Sequence, residues 1–285
     1  MAETAGTSVA VLTPRAGRDL PIAIGVGLGL LALAVGSLVW RKEIFIAFAA
    51  LACGAALWEL GHAFGRRQIH LPLVPMLVGT VGILVSAYTA GAEAMLVAFL
   101  LTAGGSVIWR VLDGAGPAAL RDASAATFAL AYVPFLAGFV MLMLAQPDGA
   151  MRVGLFVLLA VANDTGGYVA GVLIGRHPMA PSVSPKKSWE GLGGSLLLAG
   201  AVGAVGIRWG FGGAWEIGVL LGVAAVATST LGDLSESLLK RDLELKDMGR
   251  LLPGHGGVMD RLDSLLLSAP LVYSLLLVLV PGGAG

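Results

Sequence analysis

The chain has 285 residues, of which 57% are hydrophobic and only 13% are charged. This composition excludes an ordinary soluble domain and is typical of a polytopic membrane protein. Eighteen Lys and Arg residues balance eighteen Asp and Glu residues, so the formal net charge is +0 and no basic excess favours a nucleic-acid partner. The single cysteine, Cys53, excludes an internal disulfide and a cysteine-based zinc site.

Apolar segments long enough to cross a membrane recur along the whole chain. A helix needs about 20 apolar residues to span roughly 30 Å of hydrocarbon. We therefore expect an all-α polytopic membrane protein with about nine transmembrane helices, preceded by a short N-terminal tail over 1–19. The expected helices cover 20–40, 44–60, 71–90, 93–109, 125–145, 151–175, 191–207, 215–231 and 264–280.

Lys and Arg residues are divided unevenly between the two sides that nine helices would create. Cytoplasmic loops of membrane proteins are enriched in Lys and Arg. We therefore expect the N-terminus and two polar segments, 176–190 and 232–263, to face the cytoplasm, with the C-terminus outside and the protein in the cytoplasmic membrane. The opposite side carries only Arg41, Lys42, Arg152 and Arg208. The N-terminal side carries Arg15, Arg18, Arg66, Arg67, Arg110, Arg121, Arg176, Lys186, Lys187, Lys240, Arg241, Lys246, Arg250 and Arg261.

Many of the 42 glycines recur at helical spacing. Gly25 and Gly29 share one face of the first expected helix, and Gly167, Gly171 and Gly175 share one face of the sixth. A glycine face lets a neighbouring helix approach closely, so we expect these residues to pack helices together. The same spacing is compatible with a homodimer contact.

Polar residues gather in three segments of the C-terminal half. The first, 163–168, carries Asp164 in the middle of an expected helix, where an ionisable group indicates a functional site or, alternatively, a brace between helices. The second, 176–190, contains prolines that prevent a regular helix. There Ser184, Lys186 and Lys187 offer donors to an anionic group; the alternative is an ordinary cytoplasmic loop.

The third polar segment combines acids and bases with a glycine-rich stretch. If the eighth helix continues past Gly232, then Asp233, Ser237, Lys240 and Arg241 share one of its faces and pair acids with bases.

A glycine-rich turn then brings two further carboxylates, Asp260 and Asp263, to the start of the last helix. Carboxylates held close together repel one another unless a cation lies between them, and hard oxygen ligands suit Mg²⁺. Metal, cations and exposed backbone amides are what a polyphosphate substrate requires.

At these residues the chain resembles the phosphatidate cytidylyltransferases, also called CDP-diacylglycerol synthases. Their signature runs Ser-x-apolar-Lys-Arg-x4-Lys-Asp-x-small-x2-apolar-Pro-x-His-Gly-Gly-apolar-x-Asp-Arg-apolar-Asp, and residues 237–263 match it throughout. Segments 164–166 and 184–191 also resemble the family, with Ser188 where threonine is more usual. Residues 20–150 resemble it only as apolar helices, so 151–285 is the expected catalytic transmembrane region. The matching positions are Ser237, Lys240, Arg241, Lys246, Asp247, Gly249, Leu252, Pro253, His255, Gly256, Gly257, Asp260, Arg261 and Asp263.

The resemblance implies transfer of the cytidylyl group of CTP to phosphatidic acid, with CDP-diacylglycerol and pyrophosphate as products. CTP, phosphatidic acid and membrane lipids are then the partners, and Mg²⁺ is the cofactor, held at Asp233 and Asp260, with a second metal ion left open. The resemblance further implies catalytic roles for Asp164, Lys240, Arg241, Asp247, His255, Asp260, Arg261 and Asp263. It implies substrate contacts for Ser184, Lys186, Lys187, Ser237, Lys246, Gly256 and Gly257.

A dedicated general base is optional, because a doubly ionised phosphate is already a competent nucleophile. His255 is expected to bind a phosphate or to orient an aspartate. Two alternatives stay open at this point. One is a related CTP-dependent enzyme that acts on a polyprenol or an ether lipid. The other is an ion-coupled transporter, for which an acid inside the membrane and glycine-interrupted helices are also typical.

Overall fold

The computed structural model describes residues 20–114, 116–181, 183–245, 247–249, 251–252 and 256–280, and the predicted N-terminal tail lies outside them. The described residues form nine α-helices and one β-hairpin, and they include seven helical segments that are long and apolar enough to cross a membrane. The nine helices are α1 (Leu20–Trp40), α2 (Lys42–Gly65), α3 (Leu73–Asp113), α4 (Pro117–Leu130), α5 (Leu136–Ala145), α6 (Gly149–Ile174), α7 (Trp189–Val205), α8 (Trp215–Asp242) and α9 (Met259–Leu279). The hairpin consists of β1 (Pro178–Ala180) and β2 (Ser184–Ser188).

Two of the predicted helices, 71–90 and 93–109, are the two halves of α3. The helix breaks at Gly91, whose φ of 85° and ψ of −168° lie outside the helical range. A positive φ favours glycine. The two halves fold back on each other and lie in close contact. A Cβ on Gly79 in the first half would lie 2.0 Å from Cγ2 of Thr102 in the second half. Every predicted span falls on a helix of this structure, while the number that crosses a membrane stays a prediction.

A π-helical turn over Ala131–Phe135 joins α4 to α5, so that the predicted span 125–145 is one continuous helical segment. Pro134 lies inside this turn. Proline has no N–H to donate to the preceding turn, which favours a wider helical turn at that position. The turn carries Tyr132 into the interior, where its side chain is buried.

Helices α6 to α9 pack closely through residues without side chains. A Cβ on Gly218 of α8 would lie 2.1 Å from the carbonyl oxygen of Gly203 on α7. The packing role predicted for glycine in the sixth span is confirmed, since a Cβ on Gly167 would lie 2.7 Å from Oγ of Ser195 on α7. Gly25 and Gly29 of α1 do not play this role among the described residues, because a Cβ on either would meet no described atom within 4 Å.

The Lys- and Arg-rich segments that were predicted to share one side gather at one end of the bundle. Arg67, after α2, donates a hydrogen bond to the Asp242 carbonyl at the end of α8 over 3.0 Å. Arg241 donates to the carbonyl of Val183 in the hairpin over 2.8 Å. The assignment of this end to the cytoplasm stays a prediction.

Arg152 organises the opposite end of the bundle. Its side chain is buried and bonds to Asp148 over 2.6 Å, to the carbonyl of Leu276 over 2.9 Å and to that of Val280 over 2.7 Å. Leu276 lies in the last turn of α9, where its carbonyl also accepts the N–H of Val280, and Val280 follows α9 directly. Arg152 therefore caps α9 and ties it to α6.

We predict that Arg152→Met lowers the free energy of unfolding by about 3 kcal/mol, because it leaves Asp148 without its buried cation and removes the Arg152 hydrogen bond to the Val280 carbonyl. Arg208→Met serves as the control, since Arg208 is an exposed arginine. The comparison requires unfolding of both variants in detergent. Equal stability of the two variants would contradict the capping role.

Candidate active site

The three polar segments predicted from the sequence converge at one end of the bundle. Asp164 lies on α6, as predicted, and is exposed. Its carboxylate interacts electrostatically with Asp233 on α8, with Lys187 on β2 and with Arg261 on α9. Four elements that are separated along the chain therefore surround a single polar region.

The second polar segment forms the hairpin that precedes α7. β1 and β2 pair antiparallel, and Glu190 holds their base by accepting hydrogen bonds from the N–H groups of Arg176 and His177 over 3.2 Å each and from the His177 ring. Ser188 caps α7 by accepting from the N–H of Gly191 over 3.1 Å. This arrangement directs Lys187 onto the carboxylate of Asp233, with which it forms an ion pair.

Helix α8 extends through Asp242, as expected, but its acids and bases pair differently from the predicted stripe. Lys240 Nζ lies 2.6 Å from Oε2 of Glu236, one turn earlier, and 3.0 Å from Oδ1 of Asp260 on α9. Asp233 binds Lys187 instead of a base on its own helix. Glu236 is only 2% exposed and was missed by the sequence analysis, although its spacing of four residues from Lys240 is the signal that could have revealed it.

Asp260 accepts hydrogen bonds from both sides of the loop that connects α8 to α9. Besides Lys240, its carboxylate accepts the N–H of Gly257 over 2.9 Å and that of Met248 at 3.2 and 3.3 Å from its two oxygens. Donors therefore occupy both carboxylate oxygens. A loop bound to its own helix in this way keeps its backbone amides in a defined position.

Buried acids also crowd together between α8 and α9. Asp263 is 7% exposed and interacts electrostatically with Glu236 and Asp233. Oε1 of Glu236 and the hydroxyl of Tyr132 are buried and accept or donate no hydrogen bond among the described residues. Tyr132 lies within electrostatic range of the same three carboxylates. The region thus concentrates negative charge, against which Lys187 and Lys240 are paired.

The remaining predicted residues lie around this centre or outside the described part of the chain. Gly256 has a φ of 82°, and Asp247 is exposed. Ser184, Ser237 and Gly257 are partly or fully buried in the same region. His255, Lys246 and the side chain of Lys186 lie outside the described residues.

No group of three or more His, Cys, Asp and Glu side chains within the described ranges is arranged to hold a metal ion. Asp233 and Asp260, the predicted metal ligands, bind Lys187 and Lys240. The arrangement as it stands combines paired lysines, excess carboxylates and ordered amides. Such a set can hold phosphate oxygens and cations at the end of a lipid-facing bundle.

Comparison with known proteins decides the family. A model described as the cytidylyltransferase family matches residues 22–279, which is most of the chain. This chain belongs to the cytidylyltransferase family. Membership agrees with the resemblance noted in the signature and favours an enzyme over an ion-coupled transporter.

The family relatives carry a consistent name. The chain is 42% identical to the phosphatidate cytidylyltransferase of Mycobacterium leprae over 94% of its own length and 90% of that protein. It is 39% identical to the phosphatidate cytidylyltransferase of Mycobacterium bovis over 94% of its length and 91% of that protein. The phosphatidate cytidylyltransferase of Synechocystis sp. is 44% identical over 47% of this chain and 46% of that protein.

We predict that the ion pair between Glu236 and Lys240 is strongly coupled. Lys240→Met leaves a buried carboxylate without its cation, so it costs far more alone than in the Glu236→Gln background. The coupling free energy from a double-mutant cycle, measured by unfolding in detergent, is expected to be about 2 kcal/mol. A coupling near zero would show that Glu236 does not need Lys240.

Arg67 and Glu244 form a matched control pair. They lie 2.8 Å apart, but their side chains are 41% and 79% exposed. The same cycle with Arg67→Met and Glu244→Gln should give a coupling below about 1 kcal/mol, because water screens exposed pairs.

Proposed function

We propose that this chain is a phosphatidate cytidylyltransferase, which transfers the cytidylyl group of CTP to phosphatidic acid. CDP-diacylglycerol and pyrophosphate are the products. The observation that carries the proposal is the similarity to two mycobacterial enzymes of that name over 94% of the chain. The intact signature over 237–263 supports it, and the described residues of the signature lie around one polar region.

The position of the polar region suits a reaction between a soluble and a membrane-bound substrate. It lies at the end of the bundle where Lys and Arg residues gather, which we assign to the cytoplasm by the positive-inside rule. CTP reaches this end from water, while phosphatidic acid stays in the bilayer. Asp164 and Arg261 are both exposed, so the region is accessible from outside the bundle.

The chemistry follows from charge. A phosphate oxygen of phosphatidic acid attacks the α-phosphorus of CTP, and the bond from that phosphorus to the β-phosphate oxygen breaks. Pyrophosphate leaves with the electron pair, so the step involves no oxidation and needs no obligatory base. Both reactants are anions, and Lys187, Lys240 and Arg261 lower their mutual repulsion and stabilise the leaving group.

The donors of this region have the chemistry that a divalent cation requires, although the described carboxylates of Asp233 and Asp260 pair with lysines. The described side chains of the region include five carboxylates, those of Asp164, Asp233, Glu236, Asp260 and Asp263. Hard oxygen ligands of this kind suit Mg²⁺. The buried Oε1 of Glu236, which accepts no hydrogen bond from the described residues, indicates that the acids are not fully compensated by protein donors.

We assign Mg²⁺ to Asp233 and Asp260, as the resemblance implies, with the neighbouring acids available for a second ion. When bound, the metal supplies positive charge to phosphate oxygens. Asp233 is the more open ligand, since its side chain is 26% exposed, whereas that of Asp260 is 9% exposed and also orders loop amides. Lys187 and Lys240 hold the carboxylates in place and are close enough to exchange to substrate phosphates.

The direct test incubates the detergent-purified protein with phosphatidic acid, radiolabelled CTP and Mg²⁺. We expect label to enter the organic phase with the wild-type protein. Asp233→Asn should reduce the rate at least about a hundredfold, because it removes a charge from the reacting centre. Asp113→Asn is the matched control, since Asp113 is 73% exposed and pairs with Arg110.

The same assay distinguishes between the possible lipid acceptors of the cytidylyl group. Label that enters lipid only when a polyprenyl phosphate or an ether-lipid phosphate replaces phosphatidic acid would reassign the substrate. Absence of label with every acceptor, from a folded protein, would overturn the proposed function.

Metal removal gives a further prediction. EDTA in excess over Mg²⁺ should abolish label transfer by the wild-type protein, and added Mg²⁺ should restore it, because without the cation the carboxylates of the site repel the triphosphate. Undiminished transfer in EDTA would exclude the metal assignment while leaving the transferase assignment intact.

A further inference from the structure

A buried glutamate in the N-terminal half contacts the signature loop, which lies about 190 residues later in the chain. Glu59 on α2 is 1% exposed. Its Oε2 accepts the N–H of Met259 over 2.9 Å, and its Oε1 accepts the N–H of Leu251 over 3.4 Å. Both oxygens of one side chain therefore bind backbone amides of the segment between α8 and α9.

Two glycines of the loop pack directly against this carboxylate. A Cβ on Gly249 would lie 1.8 Å from Oε1 of Glu59, and a Cβ on Gly257 would lie 2.6 Å from Oε2. Real Cβ atoms do not approach this closely. Any larger residue at 249 would displace the glutamate, which gives a physical reason for the small residue at that position of the signature.

Glu59 and Asp260 both accept hydrogen bonds from backbone N–H groups of the same loop. Asp260 accepts the amides of Met248 and Gly257, and Glu59 accepts those of Leu251 and Met259. Along the chain, the amides that Asp260 binds therefore alternate with those that Glu59 binds. A shift of the loop away from Glu59 would therefore also shift the amides that orient Asp260.

The helix that carries Glu59 also leads to the other end of the loop. Arg67, just after α2, bonds to the Asp242 carbonyl over 3.0 Å and pairs with Glu244 at 2.8 Å. The segment 242–259 is thus fixed to the N-terminal half at both of its ends.

We propose that Glu59 is a positioning residue of the active site. It holds the 248–259 loop so that Asp260, and through it Lys240, keep the geometry that CTP requires. The inference rests on the proposed function, and it assigns a role in the reaction to the N-terminal half of the chain. Glu59 acts through the loop backbone and does not touch the reacting atoms.

A carboxylate is required for this role. Glutamine would direct an NH₂ group at one of the two backbone N–H donors, so one donor would lose its acceptor and face a second donor. Aspartate keeps the charge but is one methylene shorter and cannot reach both amides. Glu59→Gln and Glu59→Asp therefore separate the need for two acceptors from the need for charge alone.

The test measures steady-state kinetics and amide hydrogen exchange on the full-length wild type, Glu59→Gln, Glu59→Asp and Asp122→Asn. We expect kcat to fall at least about tenfold and the KM for CTP to rise in Glu59→Gln, with a smaller effect in Glu59→Asp. The KM for phosphatidic acid should stay within about twofold. Exchange in the 248–259 loop should accelerate at least about tenfold.

Asp122→Asn is the matched control. Asp122 is a fully buried carboxylate of the same half of the chain, but it bonds to Arg110 over 2.9 Å and makes no described contact with the loop. It should lose stability without a change in the KM for CTP or in loop exchange. If Asp122→Asn changes both quantities as Glu59→Gln does, the role of Glu59 is merely structural and the proposal is wrong.

Loop packing provides an independent arm. Gly249→Ala should reproduce the kinetic and exchange effects of Glu59→Gln, and it should add little in a Glu59→Ala background, where its clash is absent. Wild-type exchange rates in Glu59→Gln, or fully additive effects of the two substitutions, would overturn the proposal. Failure of the wild type itself to label lipid would instead overturn the proposed function.

Discussion

Lys240 joins the two helices that carry most of the signature, and the polar region depends on it. Its ammonium group lies between Glu236 on the same helix and Asp260 at the start of α9. In an apolar bundle an unpaired buried carboxylate is very costly, so Glu236 requires a cation within reach. Because the same lysine also bonds to Asp260, it fixes the distance between the end of α8 and the start of α9. The two ends of the loop that connects these helices are therefore fixed as well.

Close helix packing makes this charge network possible. A Cβ on Gly232 would lie 2.6 Å from the carbonyl oxygen of Asp263, so α8 and α9 touch through backbone just beside the acids. Gly203 and Gly218 produce the same contact between α7 and α8. Without side chains between the helices, Asp233, Glu236 and Asp263 come within electrostatic range of one another. Concentrated negative charge of this kind attracts metal ions and the cations that bind phosphate.

The N-terminal half contacts the segment that carries the signature. Glu59 and Arg67 contact backbone groups of the signature loop and the end of α8, so the position of the loop depends on how α2 packs. The two ends of the helix bundle differ in how their polar residues are arranged. Arg152 caps α9 at one end through buried hydrogen bonds, while the other end exposes Asp164 and Arg261.

The amino-acid sequence by itself determined the helices and the residue types of the site. Apolar length and the glycine at position 91 are local properties, so the predicted spans fall on helices and the break inside α3 lies between two of them. The family signature over 237–263 likewise depends only on residue identity and spacing. The match to the family model over 22–279 confirms the family that the signature indicated.

Only the tertiary structure decided which groups bind each other. Local spacing paired Asp233 with bases on its own helix, yet it binds Lys187 from the hairpin, 46 residues away. Local spacing gave no reason to connect Glu59 with Met259, 200 residues later. Such contacts depend on how closely glycine-lined helices approach and on where their ends meet. The pattern of residues within one helix predicts neither the approach of the helices nor the position of their ends, because packing joins segments that are remote in the chain.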